Sequence, residues 1–71
     1  MFWVVEFMKM TDGNWSQTIT SHETREQAES KYYLVLSYAA VSTNKVHGAV
    51  MFDDTGVYSM RQSYNRESQN A

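Results

Sequence analysis

The stretch "TREQAESKYYLVLSYAAVS", Thr24–Ser42, decides the architecture. Thr24, followed three residues on by Gln27, matches a capping box, and Glu26 falls in the first turn, where the helix dipole favours negative charge. Beyond it Ala28, Tyr32, Val35, Leu36 and Ala39 recur at spacings of three and four, which predicts a helix with one apolar stripe. Ser42, Thr43 and Asn44 suit its end.

On either side the period changes. Residues 2–10 are rich in Phe, Trp, Val and Met, and the following "TDGN" carries the Asp-Gly pair that favours a tight reversal between strands. In "NWSQTIT", residues 14–20, Trp15, Gln17 and Ile19 alternate against Ser16, Thr18 and Thr20, the period of a half-buried strand. After the helix, "KVHGAVMF" and "VYSMRQSY" flank "DDTG", a turn that ends in a residue suited to positive φ. The order is ββαββ. It predicts an α+β fold in which two hairpins form an antiparallel sheet and the helix packs across one face. One domain covers residues 1–66, and the polar, aperiodic 67–71 read as a disordered tail. The strand order within the sheet is left open by the sequence.

A chain of 71 residues buries only roughly 60% of its unfolded surface, so it needs some added source of stability. With no cysteine, disulfides and thiolate metal sites are excluded; with only two histidines, His22 and His47, neither a metal nor a cofactor is expected. Self-association remains. The formal charge of −2 and the scattering of Lys9, Arg25, Lys31, Lys45, Arg61 and Arg66 argue against duplex nucleic acid as a partner. The start "MFWVVEFMKM" lacks a basic n-region and is too short to span a bilayer, so the expectation is a cytoplasmic protein with no membrane partner.

The apolar residues exceed what one helix on one sheet can hide. At about 100° per residue, Leu34, Tyr38 and Val41 fall on a helix flank away from the main stripe. The first strand has Phe2, Val4 and Met8 on one side with Glu6, and Trp3, Val5 and Phe7 on the other. A homodimer or higher oligomer would cover the excess, since a twofold interface uses the same patch from both subunits. Leu34, Tyr38, Val41, Phe2, Val4 and Met8 are the expected interface.

Asp54-Thr55-Gly56 resembles the catalytic loop of retroviral-type aspartic proteases over those three residues alone, and is expected to be a hairpin turn. His47, Tyr58, Arg61 and Tyr64 form a candidate ligand surface on the second hairpin, because Arg, His and Tyr together suit a phosphate-bearing ring. No nucleophile stands beside a base in any recognisable motif, and no catalytic residue is assigned; Glu6, Asp53 and Asp54 are the carboxylates an enzyme would have to use. His22 and Glu23 are read as solvating or capping the helix start.

In its Asp-Gly hairpin, its helix ending in small residues and its "DDTG" hairpin running on to Tyr64 and Arg66, the chain resembles small proteins encoded by phages and prophages of gut Firmicutes. The resemblance implies a non-catalytic binding protein that inhibits bacterial antiviral defence, by blocking a host defence protein or sequestering its nucleotide signal. A structural or regulatory subunit with no small-molecule ligand is the alternative.

Overall fold

A computed structural model describes residues 1–66, and the tail expected over 67–71 lies outside the described residues. The elements are β1 (Phe2–Lys9), β2 (Trp15–His22), α1 (Arg25–Val41), β3 (Val46–Phe52) and β4 (Tyr58–Asn65), the expected ββαββ α+β order. The strands make one antiparallel sheet in the order β2-β1-β3-β4. The two hairpins therefore join through β1 and β3. Both β2 and β3 are antiparallel to β1, so they run parallel to each other, and α1 is the crossover between them.

Both hairpin turns are built by Asp and Gly. Asn14 donates its backbone N–H to Asp12 Oδ1 at 2.9 Å, and Gly13 takes φ +92°, a conformation a side chain would disfavour. Between β3 and β4, the Thr55 N–H donates to Asp53 Oδ1 at 2.9 Å and Gly56 takes φ +79°.

The helix starts with the Thr24 half of the capping box, and the Gln27 side chain bonds one residue earlier than the box prescribes. Gln27 N–H donates to Thr24 Oγ1 at 3.2 Å, and the Gln27 side chain reaches back to accept the Glu23 N–H at 3.3 Å. Replacing Thr24 with Ala removes one of these partners and should cost about 1 kcal/mol of stability, read from urea unfolding. The last turn of α1 carries no basic residue of its own. Arg66, just beyond β4, takes that place, its Nη2 donating to the carbonyls of Ala39 at 2.7 Å and Ala40 at 3.1 Å. The chain thus ties its last described residue to the end of the helix.

The core lies between α1 and the sheet. Ala28, Tyr32, Val35 and Ala39 are the buried helix residues, and Leu36 packs partly against the cluster, as the stripe predicted. They meet Val4, Ala49 and Met51 from the sheet, with Phe2 and Met60 at the margin.

Candidate functional site

Register fixes which side chains share the face of the sheet turned away from α1. Opposite one another across β2, β1, β3 and β4 stand Ile19, Val5, Val50 and Arg61. One row towards the β3–β4 turn come Ser21, Trp3, Phe52 and Tyr58; one row the other way come Gln17, Phe7, Gly48 and Ser63. At the far end are Trp15, Lys9, Val46 and Asn65. Antiparallel sheets with one solvated face usually alternate apolar inward and polar outward. Here β1 and β3 are apolar on both faces.

The open face is uneven. The Phe7 ring lies over Gly48. A shallow hollow of about 570 Å³ runs between Trp3, Val5, Ile19 and Phe52, with Asp53 and Asp54 on its rim. Trp15 and Ile19, both on the edge strand β2, are 63% and 60% exposed. Among the described residues, no element covers them.

The expected interface set divides. Leu34, Tyr38 and Val41 are exposed on the outer flank of α1, on the opposite side of the molecule. Phe2, Val4 and Met8 do not join them, which corrects the assignment made from alternation. Val4 is 1% exposed in the core, Phe2 packs against that core, and Met8 Sδ meets Asn44 Nδ2 at 3.4 Å. The helix claims this side of β1, so the surplus on the strand is Trp3, Val5 and Phe7.

The candidate ligand set divides as well. Tyr58 and Arg61 sit together on the open face, the guanidinium 5.0 Å from the ring centroid, because an irregularity between Met51 and Phe52 sets Tyr58 opposite Phe52. His47 and Tyr64 pair across β3 and β4 on the helix side. His47 is buried there, its Nε2 2.8 Å from Glu6 Oε2, and its Nδ1 has no hydrogen-bond partner. The four side chains do not converge on one ligand.

The three carboxylates are also apart. Glu6 lies beneath the helix, whereas Asp53, four residues beyond Ala49, the residue opposite Glu6, is about 13 Å further along the sheet. Asp53 is engaged by its own turn. Hydrogen bonds from the Thr55 hydroxyl and backbone N–H hold its carboxyl below the ordinary carboxylate range. Asp54 accepts from the N-terminal amine at 2.7 Å. Asp53-Asp54-Thr55-Gly56 is thus the turn the sequence predicted. The Arg25 guanidinium is held above its usual value by a hydrogen bond from its Nε to Glu29 at 2.9 Å, and burial pushes the Tyr32 phenol up. His22 ends β2 and bonds Thr20 Oγ1 at 3.0 Å, so it belongs to the strand, and Thr24 is the residue whose side chain caps the helix.

Sequence reasoning missed Val50 and Phe52 as members of the open face. Within "KVHGAVMF" apolar residues run on without alternation, so neither face could be assigned until the register with β1 was known.

Among the described residues, no group of His, Asp and Glu side chains comes together as a metal site, and no helix is long and apolar enough to cross a membrane. Compared with family models, with curated proteins and with solved structures, the chain matches none of them.

Proposed function

We propose that this chain is a non-catalytic, self-associating binding protein. In the phage setting that its sequence resembles, it would inhibit a bacterial antiviral defence by occupying a defence protein in the host cytoplasm. The observation that carries the reading is the pair of apolar surfaces on opposite sides of one small domain: exposed Ile19 and Trp15 with half-buried Trp3 and Val5 on the sheet, and exposed Leu34, Tyr38 and Val41 on the helix. A surface on each side lets one serve assembly and the other a partner. Blocking a protein is favoured over sequestering a nucleotide, because His47 and Tyr64 lie on the face away from Tyr58 and Arg61.

Light scattering over a range of concentrations, repeated with a panel of cyclic and ADP-ribose-type nucleotides, tests this. The expected result is an oligomer whose melting temperature no nucleotide moves. A nucleotide that raises the melting temperature by several degrees would instead favour sequestration, and a monomer at every concentration would remove the self-associating reading.

A further inference from the structure

We infer that the open face of the sheet is where a second copy of this chain docks, sheet against sheet and with its strands reversed. The inference rests on the self-association just proposed and names its surface and geometry. A domain built of one helix on one sheet has two layers, and the exposed face of its sheet would normally be polar. Here two of its four cross-strand rows place Trp3 beside Phe52 and Val5 beside Val50, with Ile19 flanking.

Size agrees with a dimer. Four strands about 4.8 Å apart and seven or eight residues long give a footprint of roughly 500 Å², which pleating and large side chains enlarge towards the roughly 800 Å² per partner of a standard interface.

Charge selects the orientation. Asp53 and Asp54 rim one end of the face, Asp54 paired with the N-terminal amine at 2.7 Å, and Lys9 lies in the row at the other end. A twofold axis in the interface plane and parallel to the strands would set the two acidic rims together and press Arg61 onto Ile19 of the partner subunit. An axis across the strands brings the acidic rim to the partner's Lys9, lays Val5 over the partner's Phe7, and leaves Arg61 near the partner's Ser63 at the edge. Two sheets stacked this way form a sandwich about 10 Å between layers, with a helix on each outer side.

Trp3 and Trp15 are the chain's only tryptophans, and both lie on this face. Their emission therefore reports its burial. Across a dilution series followed by sedimentation and fluorescence, the expected result is a dimer whose tryptophan emission shifts to the red as it dissociates. Ile19 is exposed, so Ile19→Arg should keep the circular dichroism of the native fold while weakening the dimer at least tenfold; Trp15→Lys should act the same way, and Tyr38→Glu on the helix flank should leave the dimer unchanged. A wild-type monomer would overturn the underlying reading as well. An oligomer that survives Ile19→Arg and falls apart with Tyr38→Glu, or one whose tryptophan emission does not change on dissociation, as edge-to-edge pairing through β2 would give, would overturn this surface alone. Quenching of a monomer's tryptophans by oligothymidylate would reassign the face to single-stranded nucleic acid.

Discussion

Gly48→Ala should lower the stability of this domain by about 3 kcal/mol, enough to leave much of so small a protein unfolded. The position needs glycine for space, whereas Gly13 and Gly56 need it for positive φ and have nothing within 4 Å of where a Cβ would stand. At Gly48 an added Cβ would fall 2.5 Å from the carbonyl oxygen of Gln62, 2.7 Å from Ser63 Cβ and 2.8 Å from Phe7 Cζ. The ring could swing away. The Gln62 carbonyl belongs to the backbone of β4, paired with β3 at this register, so relief requires the last strand to shift. Since Arg66 follows that strand and holds the carbonyls at the end of α1, the damage should reach the helix terminus too. Urea unfolding should show a midpoint lower by about 2–3 M with little change in slope, at a slope near 1 kcal/mol/M for a chain of this size. A midpoint within about 0.5 M of wild type would mean that β4 is free to move away from β3 at this point.

The contrast between these glycines shows how far the sequence could be read. Gly13 and Gly56 lie next to Asp12 and Thr55 in polar turns between apolar runs, and local chemistry alone identifies them. The helix was equally legible, because the Thr24–Gln27 box and the stripe from Ala28 to Ala39 are contained within the element itself. Gly48 owes its role to Phe7 and Gln62, forty-one residues before it and fourteen after it, and no local pattern carries that. The candidate sites failed for the same reason. Alternation separated Phe2, Val4 and Met8 from Trp3, Val5 and Phe7, but which set the helix would cover depended on the crossover from β2 to β3. His47 and Arg61 stand an even number of residues apart, yet on antiparallel partners only register decides whether they share a face: His47 opposes Tyr64, and Arg61 opposes Val50.

Glu6→Leu should cost about 3 kcal/mol, and Glu6→Leu combined with His47→Leu should recover much of that loss. The two residues are diagonal neighbours on β1 and β3, since Glu6 stands opposite Ala49 and Met8 opposite His47. The Glu6 carboxylate meets His47 Nε2 at 2.8 Å with the imidazole 5% exposed and Glu6 20% exposed. Nδ1 already has no partner. Removing Glu6 therefore leaves a buried ring with neither nitrogen bonded, and the cost of that step is set by desolvation of the orphaned group more than by the strength of the bond that was lost. Removing both members takes the desolvation away with them and leaves two leucines against Met8 and the base of the helix. The double-mutant cycle should give a coupling of roughly 1–3 kcal/mol, measured by urea unfolding of all four proteins. The same cycle separates a structural pair from a functional one. If Glu6→Leu unfolds no more easily than wild type and yet abolishes binding, the pair belongs to a site reached from the helix side, whereas a large coupling in stability with the dimer intact in the double variant assigns it to the core and leaves the open face to do the binding.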